Sequence, residues 1–429
     1  MTGSARSFSG LLLPLTDNMA SSDVLDKLHQ VELISNVQKR AEAFNSLLSA
    51  IISNVSSSLP ANLIAYVQSI LSDNIGVIHS RPLLASFVEQ YRSISDNEAK
   101  IEAGTRIIQL LQPRVVTYEQ QDSEIKFVVA QAYEQEENFT ECAKVLQTVA
   151  LDSSQRSVSD DEKASVWIRI CRCYLEEDDH TNALTYLNKV KQVIFNVSDQ
   201  ITRLMFALSQ ARIHDSQRSF LEASSTYHSL SQEPAIDEGE RLQALSAAIT
   251  CAVLVPAGPM RARQLGKLYK DDRATETAEY SILEKIYLNR LLSPEEVKMF
   301  ASGLKAHQLA KTADGSTVLD KAVLEHNLLA VSRLYQNISV VALGQLLGVD
   351  ADRVEIYAAG MIESDRLFGS IDQIAGILYF NTKEGGQDTG AMDLRAWDAN
   401  IQGLAEEVEK VTTMLARDEP TFYERITVA

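Results

Sequence analysis

Between Ser123 and Leu230, apolar residues recur every three or four positions in six successive blocks separated by polar breaks. Ile125, Val128, Val129, Ala132 and Tyr133 form the first stripe, and Cys142, Ala143, Leu146 and Val149 the second. Trp167, Ile170, Cys171 and Tyr174 pair with Ala183, Tyr186, Leu187 and Val190. Ile201, Leu204, Met205 and Leu208 pair with Phe220, Ala223, Tyr227 and Leu230. Such spacing puts each set on one face of a helix. Ala143, Ala183 and Ala223 lie 40 residues apart, each in the second helix of its pair, where a small side chain lets helices approach closely. A two-helix repeat of this length predicts a mainly α, right-handed helical-repeat (TPR/HEAT-like) solenoid. Turns are expected at Glu134–Asn138, Glu176–His180 and Asp215–Ser219, and the Ser- and Asp-rich stretch Ser153–Lys163 reads as a longer loop.

The pattern changes after Pro256, Gly258 and Pro259, which force a break. Arg261, Arg263, Lys267, Lys270 and Arg273 then give the densest positive charge in the chain, read as an exposed helix face beside Asp271 and Asp272. Ser293, Pro294 and Glu296 open a further helix by cap, first-turn proline and capping-box acid. Thr317 and Asp320 have the spacing of a second capping box, followed by Leu324, Leu328, Val331 and Leu334 at a helical period. Ser339 is placed to cap Val340–Leu347, Gly348 to end that helix in a left-handed turn, and Asp350 to cap the next one through Ile362. Phe368, Ser370 and Asp372 then alternate with apolar neighbours, and Ile377, Leu378, Tyr379 and Phe380 follow Gly376 as a β-rich run. Helix, turn, helix and two short strands predict a winged helix. A polar, glycine-containing run from Glu384 to Gly390 reads as a linker. Leu394, Trp397, Ile401, Leu404, Val408, Val411 and Leu415 then alternate at spacings of three and four, a seam over three heptads that needs other helices to cover it.

These patterns divide the chain into a tail (1–22), a helical-repeat arm (23–292), a winged-helix region (293–381), a linker (382–393), an assembly helix (394–416) and a second tail (417–429). At 429 residues, several domains or a repeat array are expected. Forty basic against 58 acidic residues leave a formal charge of −18, which disfavours nucleic acid and acidic membranes as general partners. The second winged-helix helix adds a local reason: from Asp350 to Arg366, five carboxylates face only Arg353 and Arg366. A helix meant for phosphates needs the opposite sign. The charges favour docking to protein through the apolar wing edge.

The residues now in view resemble the PCI-domain family, whose members occur in the proteasome lid, the COP9 signalosome and translation initiation factor three. More narrowly, Ala313–Ile338 and Gly369–Phe380 look like the signalosome subunit 4 family, as do PRVVTYEQ (Pro113–Gln120), YLEEDD (Tyr174–Asp179), LYKDDR (Leu268–Arg273) and ILEKIYLNRLL (Ile282–Leu292). The similarity covers residues 80 to 381. It implies a non-catalytic scaffold in the complex that removes Nedd8 from cullin-RING ligases, found in cytoplasm and nucleus. Expected partners are the other PCI subunits, the metalloprotease-fold subunits and, through the arm, a neddylated ligase. Ile377–Phe380 and the Leu394–Leu415 seam are the expected assembly surfaces. A proteasome-lid subunit and a winged-helix nucleic-acid binder are the alternatives.

Candidate chemistry adds nothing to this picture. The histidines at 29, 79, 180, 214, 228, 307 and 326 form no H-x-H or H-E-x-x-H pair, and no phosphate-binding or nucleophile motif appears. His326 reads as a packed histidine. Cys142, Cys171, Cys173 and Cys251 lack C-x-x-C spacing and read as core filler in a reducing compartment, so no metal or cofactor is expected. Leu11–Leu15 is too short for a signal peptide, and the sequons at Asn54, Asn138, Asn196 and Asn337 are read as unglycosylated.

Overall fold

The computed structural model describes residues 20–34, 36–53, 58–72, 75–152, 158–311, 315–380 and 389–418. The expected first tail falls outside them up to residue 19, and so do most of the linker and of the second tail. The chain divides into two units, one of residues 1–255, 264–280 and 305–308, the other of 256–263, 281–304 and 309–429.

The first unit is a helical-repeat solenoid. It opens with α1 (Ser22–Glu32), α2 (Val37–Ser53), α3 (Leu59–Ile70), α4 (Val77–Arg92) and α5 (Asn97–Leu111). Their core is threaded by a run of rings: Phe44 meets Tyr66 edge-on at 5.8 Å, Tyr66 stacks on Phe87 at 5.9 Å, and Phe87 on Tyr91 at 5.4 Å. The three expected pairs follow as α6 (Glu119–Gln135) with α7 (Phe139–Gln147), α8 (Asp160–Glu176) with α9 (His180–Val193), and α10 (Gln200–Ser216) with α11 (Phe220–Ser231), before α12 (Glu238–Leu254). Ala143, Ala183 and Ala223 are all buried.

One turn recurs in every pair. Glu137, Asp178 and Arg218 adopt positive φ of 59°, 57° and 63°. The next residue then returns its N–H to the carbonyl five positions earlier: Asn138 to Tyr133, Asp179 to Tyr174 and Ser219 to His214, each at 2.9 Å. This left-handed closure satisfies carbonyls that a helix end leaves open, and here it is built without glycine. The following helix starts on Asn138 or Asp179, whose side chains accept from Glu141 and Asn182.

Two expectations for this unit fail. Asp160–Lys163 belong to α8, whose first turn is capped by Ser159, so the loop expected through Lys163 ends earlier. The apolar stripe of α10 is not its buried face: Ile201, Met205 and Leu208 are exposed, and Thr202, Ser209, Ala211, Ile213 and Asp215 are buried. The two buried hydroxyls are satisfied locally, since Thr202 donates to Asp199 at 2.6 Å and Ser209 to the Met205 carbonyl at 2.8 Å, while Asp215 accepts from distant Gln308. Local hydrogen bonds remove the usual cost of burying a hydroxyl.

Helix α13 (Pro259–Tyr269) contributes residues to both units. Its cationic run is not one exposed face. Arg261 is buried, and Arg273 donates to the Asp271 carboxylate and the Ser231 carbonyl.

The second unit carries α14 (Tyr280–Tyr287), assigned to it from Ser281, then α15 (Pro294–Ser302), α16 (Val318–Leu334), β1 (Asn337–Ser339), α17 (Val340–Leu347), α18 (Ala351–Glu363), β2 (Gly369–Asp372), β3 (Ile377–Phe380) and α19 (Thr389–Asp418). Both capping boxes form. Ser339 accepts from the Ala342 N–H, and Gly348 ends α17 at φ 67°. Asp350 occupies the cap position of α18 with extended backbone, but its side chain makes no capping hydrogen bond. The sheet has three strands in the order β1-β3-β2, all antiparallel. Leu324, Leu328, Val331, Leu343, Val354, Ala358, Met361, Leu367, Leu378 and Phe380 close one core, so this is a winged helix. Helix α19 begins at Thr389, inside the stretch expected to be linker.

Candidate assembly interface

The three-strand order changes what the wing offers a partner. Ile377–Phe380 is the middle strand, with Tyr379 opposite both Asn337 and Ser370, and Ile377 opposite both Ser339 and Asp372. Its backbone is paired on both sides, so it is not the open edge expected from sequence. Leu378 and Phe380 are buried in the core, which leaves Ile377 and Tyr379 as the side chains on the outer face. The free edges belong to β1 and β2. Beside β2 lie two exposed apolar side chains outside the expected assembly surfaces: Phe368, read from sequence only as part of the strand alternation, and Ile374, whose exposure is complete. Ile374 sits at the tip of a rigid turn, because the Asp372 carboxylate accepts from the N–H groups of Ile374 and Ala375, both at 3.0 Å. An isoleucine where a turn normally carries a polar residue was the readable signal.

Helix α18 presents Asp352, Arg353 and Ile356 to solvent. Its own carboxylates, Asp352, Glu355 and Glu363, face Arg353 alone, since Arg366 is turned inward to Glu325. A phosphate backbone finds no cationic surface there.

The C-terminal seam stays uncovered. Ile401, Leu404, Val408 and Val411 are exposed at 54, 64, 57 and 57%, and Leu415 is half-buried. The side chains of Leu394 and Trp397 lie outside the described residues. Met414, also exposed, extends the apolar surface beyond the predicted positions.

Several titratable groups are held in packed, hydrogen-bonded surroundings. His326 is buried, its Nε2 donates to the Arg290 carbonyl at 2.8 Å, and burial lowers its pKa to about 4. Asp215 accepts from Gln308 at 2.9 and 3.1 Å and lies 3.2 Å from His307. Burial raises its pKa, but the His307 and Gln308 hydrogen bonds outweigh that, and the net shift is downward. The neighbouring Cys251 thiol is pushed up by burial and held protonated. Cys142 and Cys173, read separately from sequence, meet at 3.5 Å. Among the described residues, no helix is long and apolar enough to cross a membrane.

A helical-repeat chain that ends in a winged helix with an uncovered terminal helix is a protein of the PCI class, and a PCI-domain family model matches residues 304–382. A model described as PSMD12/CSN4, N-terminal, matches residues 23–239. The chain is 48% identical to COP9 signalosome complex subunit 4 of Emericella nidulans over 93% of its length and 98% of the relative's. It is 38% identical to the protein of that name from Dictyostelium discoideum, covering 91% and 96% of the two chains. For Arabidopsis thaliana the identity is 37%, over 91% and 98%. The chain belongs to the COP9 signalosome subunit 4 family.

Proposed function

We propose that this chain is a non-catalytic scaffold subunit of a COP9 signalosome, the assembly that removes Nedd8 from cullin-RING ubiquitin ligases. The observation that carries the reading is the run Ile401, Leu404, Val408 and Val411, exposed at helical spacing on α19. A helix with such a seam is marginal alone and gains stability when other helices cover it. The second docking surface is the outer wing: Ile377, Tyr379, Phe368 and Ile374 beside the free edge of β2. The partners are other PCI subunits and the metalloprotease-fold subunits, with catalysis in a neighbour. The N-terminal helices reach toward a neddylated ligase, and the protein works in cytoplasm and nucleus. Acidic α18 speaks against nucleic acid as a partner.

Affinity purification of the full chain from its own cells, with mass identification of companions, tests this. Recovery with a deneddylase complex supports it. Recovery with proteasome base subunits alone moves the chain to the proteasome-lid alternative, which shares the architecture.

A further inference from the structure

The Arg169–Glu134 ion pair joins α8 to α6, with Nε to Oε1 at 2.6 Å and Nη2 to Oε2 at 3.0 Å. The same link recurs one repeat later, where Arg212 of α10 meets Glu176 of α8 at 2.7 Å. Two thiols adjoin the first pair. Cys142 Sγ lies 3.7 Å from Glu134 Oε1, and Cys173 Sγ lies 3.5 Å from Cys142 Sγ. The residue before the repeat alanine is Cys142 here, but Asn182 and Glu222 in the next two repeats. The two thiols are therefore not needed to make the link.

We propose that Cys142, Cys173 and Glu134 form a three-ligand site for a thiophilic divalent cation of the zinc class. All three ligand atoms lie within 4.8 Å of one another. A tetrahedral cation with bonds of about 2.3 Å to sulfur and about 2.1 Å to oxygen holds two sulfurs about 3.8 Å apart, and a sulfur and an oxygen about 3.6 Å apart. The observed 3.5 and 3.7 Å separations need only small adjustments to meet that geometry. A disulfide would require the sulfurs to close to about 2.05 Å. Charge also balances: two thiolates and a carboxylate are offset by the cation and the Arg169 guanidinium, leaving a neutral cluster in which the two sulfurs are buried and Glu134 and Arg169 half-buried. Neutrality matters because an uncompensated charge at this depth is strongly disfavoured. Arg169 keeps its Nη2 bond to Oε2 while Oε1 turns to the cation, the usual arrangement of a hydrogen-bonded ligating carboxylate. Binding releases the two thiol protons to solvent.

The site has an entrance. A cavity of about 430 Å³ is lined by Glu134, Arg169, Cys173, Arg172, Glu176 and Met205 among others. It has room for the water that completes a four-coordinate centre. Sequence reading missed the cluster because its members come from three helices, with the two cysteines 31 positions apart.

The test uses the full chain, purified in the presence of a chelator and then titrated with cadmium as the probe. The thiolate-to-cadmium charge-transfer band should saturate at one equivalent, and zinc should displace it. Cys142→Ala and Cys173→Ala should each weaken binding at least tenfold, with Cys251→Ala unchanged. If either core variant fails to fold, X-ray absorption on the zinc-loaded wild type decides, with two sulfur and two lighter ligands expected. Absence of binding, sulfur-free coordination, or affinity undiminished in both folded cysteine variants would overturn the site and leave the thiols as core filler. None of these outcomes depends on assembly, so failure here is distinct from failure of the proposed function.

Discussion

Arg366 donates from Nη1 to Glu325 Oε2 at 2.6 Å, and the Ala257 N–H reaches the same oxygen at 3.0 Å. The link ties the segment after α18 to the middle of α16, and Glu325 is 1% exposed. Removing one partner of a buried pair strands the other charge. Arg366→Ala should therefore lower the stability of the winged-helix unit by about 3 kcal/mol. Hydrogen exchange of α16 and α18 amides checks this, with faster exchange expected there and no change in α6–α9.

His326 sets a pH dependence. Burial holds its folded pKa at about 4, below the ordinary 6.5, so the unfolded chain takes up a proton that the folded one refuses. The stability this neutral histidine permits is complete above pH 6.5 and is lost as pH falls toward 4. The gap corresponds to roughly 3 kcal/mol. His326→Gln retains a donor for the Arg290 carbonyl and should lose much less stability than wild type between pH 7 and pH 4.5 in denaturant titrations.

The recurrent turn makes a prediction of opposite sign. Glu137, Asp178 and Arg218 hold left-handed backbone that costs an L-residue roughly 1–2 kcal/mol. Glycine adopts it freely but loses more entropy on folding. Glu137→Gly and Arg218→Gly should each stabilise the first unit by about 0.5–1 kcal/mol. Asp178→Gly should gain least, because aspartate tolerates this conformation better. Urea midpoints measured on the full chain would report all three.

At the wing tip, Ile374 contributes nothing to the core, so Ile374→Asp should leave the thermal midpoint unchanged. If the wing docks on a partner, the same substitution should reduce recovery of companion subunits several-fold in a pull-down.

The winged helix was readable to within a residue or two at most ends because its boundaries are written in local chemistry: Thr317 with Asp320, Ser339 and Gly348. The repeat turns were readable as polar breaks for the same reason. Strand β1 was not, since Asn337, Ile338 and Ser339 alternate over only three residues between two helices, too short a run to stand out. Its absence from the sequence reading turned β3 into an edge. The α10 face was misassigned because spacing alone cannot reveal that Thr202, Ser209 and Asp215 find partners inside. The seam on α19 was legible as a pattern, and four of its positions, Ile401, Leu404, Val408 and Val411, are exposed.

The most direct measurement compares the full chain with its Leu404→Glu/Val408→Glu variant. Both side chains are exposed, so the account predicts an unchanged thermal midpoint together with loss of companion subunits from the affinity-purified complex. Retention of the full complex by the doubly charged variant would contradict the claim that this helix is where the protein assembles.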